Sequence, residues 1–261
     1  MSGTFTPLKP VSPGRRAALG AACFILFLGI WSAATFTGLV RPLFLASPWA
    51  TLVAGWQLFT EFGFAYDVAV TVGRVFGGFL IASAVAVPLG IAMGAFKTVE
   101  AFFEPAVSFA RYLPASAFIP LLILWLGVGE AQKLAIIFIG AVFQITLMVA
   151  VSVGGVRSEL VEAAYTLGAR GRGVVYRVML PAAAPQISES LRLVLGWAWT
   201  YVIVAELIGA SAGIGFMIID AQRFLDTGQM IFGIFVIGVI GLISDFLFKR
   251  MNERLFAWAA P

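Results

Sequence analysis

Residues 155–181 read GVRSELVEAAYTLGARGRGVVYRVMLP and lie between two long hydrophobic runs. They carry Arg157, Arg170, Arg172 and Arg177, with Arg192 just beyond. Ser158 and Glu159 suit the first turn of a helix, where hydroxyl and carboxylate oxygens meet free backbone amides. Glu162, Ala163, Ala164 and Leu167 continue that helix, and Gly168 is expected to end it as a left-handed cap. Arg170 to Leu180 is expected to form a second short basic helix, stopped by Pro181. Two small helices joined at a glycine make a compact knob, with a smooth face at Ala163 and Ala164 and one anchoring carboxylate, Glu162. Two readings of such a knob stand side by side. It could enter a groove on a soluble partner, or it could lie on anionic headgroups with its arginines as lipid contacts.

The rest of the chain decides what kind of molecule carries this loop. Of the 261 residues, 61% are hydrophobic and only 11% charged. Soluble domains have roughly a quarter of their residues charged, so this chain has lipid as its main solvent. At roughly 20 to 25 apolar residues per span, about six membrane helices fit, with one sizeable polar loop left over. The expected fold class is therefore an all-α membrane protein. Net charge is +4, but no basic stripe is interleaved with aromatics on a polar face, which argues against a nucleic-acid partner. The single cysteine, Cys23, rules out a disulfide within the chain. There is no histidine, which excludes histidine-based catalysis and metal ligation.

Taken in order, residues 1–16 read as a short polar cytoplasmic lead. Residues 17–37 form a first apolar run after Arg15 and Arg16. A cleaved signal peptide is the competing reading, with Ser32, Ala33 and Ala34 as small residues near a cut. The run exceeds the roughly 7 to 15 residues of a signal core, which favours an uncleaved span. Residues 38–67 suit an outer loop with an interfacial helix, marked by Trp49 and Trp56. Residues 68–250 make the core, and 251–261 a cytoplasmic tail. Within the core the spans expected are 71–96, 105–127, 134–153, 187–209 and 229–248. Lys97 and Glu100 mark a short inner turn, and residues 210–228 an outer loop. The third span is unusual, because Pro114 and Pro120 interrupt it and Arg111 sits near its start. Helix breakers at membrane depth survive where protein or a water-filled cavity covers the freed backbone groups.

Lysines and arginines collect on one side when both termini are placed inside: Lys9, Arg15, Arg16, Lys97, the four arginines of the knob, Lys249, Arg250 and Arg254. Arg41, Arg74, Lys133 and Arg223 fall outside, and Arg111 and Arg192 fall near inner span ends. This bias puts the knob in the cytoplasm. The chain shows no engine of its own. Lys97-Thr98 follows Phe96 and not the glycine that a phosphate loop needs. Glu206 and Asp245 are the candidates for a proton-driven carrier, but both lie towards span ends, where an acid reaches the interface or caps a helix. A carrier acting as a single polypeptide and a structural scaffold remain as rival classes.

The order of residues in the knob adds a resemblance. Glu162-Ala163-Ala164, three residues, Gly168, nine residues, Val178, one residue, then Leu180-Pro181 resembles the EAA loop of ABC-importer permeases, with valine where that family prefers isoleucine. Arg111-Tyr112-Leu113-Pro114, Ile119-Pro120-Leu121, Trp125 to Gly129, Ala205 to Ile208 and Gly213 to Met217 are similar to the nitrate/sulfonate/taurine/bicarbonate permease subfamily. The resemblance covers roughly residues 43–258. It implies a type I importer fold and a homodimer forming the pathway. Two ATPase subunits would hold ATP and magnesium, so this chain would bind no cofactor, have no catalytic residue and hold no metal. A periplasmic or lipid-anchored binding protein would deliver a small anion or sulfonate at the bacterial inner membrane, with lipid around the spans. In the knob, Glu162, Ala163, Ala164, Gly168, Arg170, Arg172, Arg177, Leu180 and Pro181 would couple to the ATPase. Arg111, Pro114, Pro120, Trp199 and Glu206 are pathway candidates. For Arg74, Arg111 and Arg192, pairing or interfacial placement competes with solute contact, for instance Arg192 with Glu189 one turn away.

Overall fold

The computed structural model describes residues 11–259, and all regular structure in that range is helical. The elements are α1 (Pro13–Phe36), α2 (Pro48–Thr60), α3 (Phe64–Ala95), α4 (Lys97–Ala110), a 3-10 turn (Ala115–Phe118), α5 (Ile119–Leu126) and α6 (Glu130–Gly154). Then come α7 (Ser158–Thr166), α8 (Arg172–Val174), a π turn (Val175–Met179), α9 (Leu180–Glu206), α10 (Ile214–Arg223) and α11 (Thr227–Leu255). Residues 1–10, most of the expected lead, and 260–261 of the expected tail lie outside the described residues. Four helices, α1, α3, α6 and α11, are long and apolar enough to cross a membrane, and α4 with the 3-10 turn and α5 adds a fifth if the bent pair is one span.

The core is a three-helix unit of α3, α6 and α9, built around Phe79, Ile137, Ile145, Val149, Val194, Ala198 and Val202. Gly78, Ala82, Ala86, Gly90 and Gly94 recur every fourth residue on α3, which places them in one row. That row lets backbone approach backbone. A Cβ on Gly78 would stand 2.7 Å from Ile137, one on Gly90 2.6 Å from the Thr146 carbonyl, and one on Gly94 2.5 Å from the Ala150 carbonyl. Without a hydrophobic driving force between helices in lipid, such close packing is a main source of their association.

Those contacts advance together along both helices, so α3 and α6 run parallel. A segment that dipped into the membrane and returned to the same face would leave them antiparallel. The α4–α5 segment must therefore carry the chain back across, and it does so through a bend of 82°. This revises the expected third span at residues 105–127. Lys97 and Glu100 are no inner turn but the first turn of α4, joined by an ion pair of 2.6 Å. Arg111 to Pro114 lie between helices. Pro114 takes an extended backbone (ψ 121°) before the 3-10 turn, and Pro120 sits harmlessly in the first turn of α5.

Other boundaries also move. The second span starts at Phe64, taking in residues expected in the outer loop. The interfacial helix expected in residues 38–67 is α2, capped by Ser47 accepting from the Ala50 amide, and it buries Ala54 and Leu58. The sixth span runs on to Leu255, through Lys249, Arg250 and Arg254. Part of the outer loop at 210–228 is helix α10. Helix α9 starts at Leu180, so Pro181 does not end a helix but stands near the start of one. The preceding turn explains how. Proline lacks an amide hydrogen and its ring crowds the carbonyl four residues back, here Arg177. The wider π turn at Val175–Met179 relieves that crowding while the chain stays helical.

Candidate functional site

Two regions of chemical interest lie at opposite ends of the α3–α6–α9 core, with a third between them. At one end, α7, α8 and the π turn form the knob. Gly168 has φ +86° and ends α7 as expected. Its amide donates to the Tyr165 carbonyl at 2.9 Å, and the Ala169 amide donates to the Ala164 carbonyl at 2.9 Å, a closed C-terminal cap. Glu162 and Ala163 are exposed, but Ala164 is turned into the protein, which corrects the expected smooth two-alanine face. Arg170, Arg172 and Arg177 are exposed, and among the described residues none is in an ion pair. Leu180 is half-buried and Pro181 exposed. Sequence reasoning missed how apolar the knob's outer surface is. Leu167 is 89% exposed, and Tyr165 and Tyr176 are exposed as well. Large apolar side chains inside a polar loop were the signal.

The opposite end holds an ionic clasp, buried at Arg74 and Glu206 and exposed at Glu130. Arg74 of α3, 4% exposed, donates from Nε and Nη2 to the Glu130 carboxylate of α6 at 2.7 and 2.5 Å, and from Nη1 to Glu206 of α9 at 2.8 Å and to the Ala212 carbonyl at 2.7 Å. Thr71 donates to Glu206 at 2.9 Å and accepts from the Ile214 amide at 2.8 Å. The Gly215 amide donates to Glu206 at 2.8 Å and the Gly213 amide to Asp67 at 2.6 Å. Lys133, also buried, donates to the Gly129 carbonyl at 3.1 Å. Gly213 is needed twice. Its φ is +119°, and a Cβ there would stand 2.6 Å from the Glu206 carboxyl and 2.7 Å from Arg74 Nη1. Arg74 thus ties three spans and a loop together. Charges of both signs recurring at the ends of separate apolar runs were the trace of this in the sequence.

Between the ends, the break at Arg111 to Pro114 opens a cavity of about 370 Å³ against α6 and α9. Arg111 and Pro114 line it, together with Ile139, Gly140 and Gln144 from the middle of α6. Arg111 is therefore level with the middle of α6 and not near an inner span end as expected, because α4 precedes the break. Pro120, Trp199 and Glu206 are not among the lining residues. Trp199 is buried in the core, edge-on to Phe76 with ring centres 6.4 Å apart. Arg192 does pair with Glu189, at 2.8 Å, and also with Asp245 of α11 at 2.8 Å. Glu189 in turn accepts from Asn252, and Ser188 donates to Asn252, so α9 and α11 are cross-linked near the knob. Among the described residues, no group of three or more histidine, cysteine, aspartate or glutamate side chains gathers as a metal site.

Comparison with known proteins bears on this arrangement. A Methanocaldococcus jannaschii protein named as an ABC transporter permease is 40% identical over 193 residues, covering 74% of this chain and 72% of that one. The taurine transport system permease protein TauC of Escherichia coli is 31% identical over 249 residues, covering 94% and 90%. The inward-facing methionine ABC transporter MetNI has a chain of the same fold, with a TM-score of 0.65 at 19% identity, covering 73% of this chain and 95% of that one. Residues 86–257 match the family of binding-protein-dependent transport system inner membrane components. The chain is thus an ABC transporter permease subunit, not an enzyme, and belongs to that family.

Proposed function

We propose that the chain is the permease subunit of an ATP-driven importer for a small anion or sulfonate, of the class of taurine, alkanesulfonates, nitrate, bicarbonate or cyanate. Two copies form the pathway with six crossings each, α9 and the bent α4–α5 pair among them. Both termini and the knob face the cytoplasm, and residues 68–250 form the core. Two ATPase subunits, holding ATP and magnesium, sit below the knobs. A periplasmic or lipid-anchored binding protein delivers solute at the clasp end. The observation that carries the reading is the knob itself. Leu167, Tyr165 and Tyr176 are exposed in the same short segment as arginines that are in no ion pair among the described residues, at the foot of a core with no nucleotide motif of its own. Exposed large apolar side chains interspersed with arginines suit a groove in a protein better than lipid headgroups alone.

In this reading Glu162, Arg170, Arg172 and Arg177 meet charges on the ATPase. Gly168 sets the turn, Ala163 allows close approach, and Ala164, Leu180 and Pro181 seat the knob on α9. Arg111, Pro114, Pro120, Trp199 and Glu206 keep their places as pathway candidates, with the cavity favouring the first two. ATP closure of the ATPase pair moves the knobs, and the spans rock between inward- and outward-open states. The test is co-purification with the ATPase from native membranes. Leu167→Asp and Gly168→Val are expected to release the ATPase while the permease still inserts. Wild-type association of both variants would overturn the docking assignment.

A further inference from the structure

We propose that the cavity at the α4–α5 break is a transient subsite for the transported oxyanion, with Arg111 as its anion-binding group; this rests on the importer reading above. Of the arginines packed among the spans, Arg74 and Arg192 are each held by two carboxylates. Arg111 is in no ion pair among the described residues. Its Nη2 donates to the Tyr112 hydroxyl at 2.8 Å, and the guanidinium lies 4.7 Å from the Tyr112 ring centre. A charge at membrane depth without a protein partner is tolerated where it faces a water-filled cavity, and such a residue marks a solute path. Arg111 lines that cavity.

The chemistry of the walls selects the ligand. A guanidinium presents a planar fork of donors that matches two oxygens of a sulfonate, nitrate or carboxylate. Nη2 gives one of its two hydrogens to Tyr112, which leaves one two-donor edge of the guanidinium for that match. Gln144, Thr200 and Tyr201 supply polar groups on the facing helices, and Trp197 supplies an apolar wall for a short carbon chain. A volume of about 370 Å³ is near the lower end of ligand cavities and suits a small solute. Lipid headgroups stay at the interface, whereas Arg111 is level with the middle of α6, so the anion is a solute in transit. One arginine without a carboxylate partner among the described residues holds an anion loosely, as a conducting path requires.

The experiment uses the full complex, with its ATPase subunits and binding protein, in proteoliposomes. Uptake of taurine and of nitrate is measured as solute moved per ATP hydrolysed. Arg111→Gln is expected to lower that ratio by about tenfold or more, the loss of one charge-assisted contact, while ATP turnover stimulated by the loaded binding protein persists. Arg111→Lys keeps the charge without the fork and retains part of the uptake. Gly140→Ala acts from the other wall. Its Cβ would stand 2.5 Å from the Tyr201 ring, which also lines the cavity, so that wall must shift, and taurine uptake is expected to fall more than nitrate uptake. A wild-type ratio in Arg111→Gln for both probes overturns the subsite alone. Failure of the unaltered complex to take up either probe overturns the importer reading for these anions, and the subsite with it.

Discussion

Arg74 and Glu206, 132 positions apart in sequence, meet at 2.8 Å with both side chains almost fully buried. The pair joins the first helix of the core to the last at the end away from the knob. Breaking a buried pair by removing one partner costs about 3–5 kcal/mol, because the remaining charge is left uncompensated. Glu206→Gln should fall at about 3 kcal/mol, the low end, since Glu130 still holds Arg74. Arg74→Leu should fall at about 5 kcal/mol, since it strands Glu206. The double variant Arg74→Leu/Glu206→Gln should be less destabilised than Arg74→Leu alone. Thermal unfolding of the three proteins in detergent checks this; additive losses would show that the two side chains are not coupled.

The glycines around the clasp make a sharper contrast. Gly213→Ala places a methyl against Glu206 and Arg74 on backbone that favours glycine, and should lower stability about as much as Glu206→Gln. Gly196→Ala, in the middle of α9 with open space at its Cβ, should be neutral or stabilising by up to about 1 kcal/mol. Equal melting of the two variants would remove the cradle explanation for Gly213.

Along α3, Gly90→Ala should separate α3 from α6 and cost about 1–3 kcal/mol, the usual penalty of overpacking. Gly73→Ala, with nothing within 4 Å of its Cβ, should have little effect. Crosslinking between cysteines placed at Ala82 and Ala141 reports the spacing directly, and should be slowed by Gly90→Ala alone.

Pro181→Ala restores an amide that can bond to the Arg177 carbonyl, so the π turn should relax to ordinary α-helix. The knob would then rotate relative to the core. The expected result is a protein at least as stable as the parent, with solute moved per ATP reduced severalfold. Hydrogen exchange across residues 175–181 should slow. Unchanged exchange would mean that the π turn has another cause.

The sequence made much of the fold legible, because apolar runs and charge bias are governed by lipid as solvent. The glycine cap at Gly168 followed from local backbone chemistry, and so did the kinship of Arg192 with Glu189 one turn away. What sequence reading could not reach depended on distance. Asp245 is 53 positions from Arg192, and only the fold brings it to the same guanidinium. The clasp was hidden likewise: Glu206 at a span end has the look of an interfacial acid until α3 delivers Arg74 to it. Pro181 misled because a proline stop and a proline tolerated by a π turn have the same one-letter signature. Arg111 was placed at an inner end because α4 was not foreseen.

The turn before Pro181 leaves α9 unbroken from the knob to the clasp. Its 27 residues make a rod about 40 Å long. Glu206 is the last residue of that rod, and the knob is joined to its first. A displacement imposed on the knob by a partner has no loop in which to dissipate. It arrives as axial or rotational strain at the place where, among the described residues, α3, α6 and α9 are held by charge. The two ends of the molecule are therefore mechanically in series, and weakening the clasp should change how much work each stroke at the knob delivers.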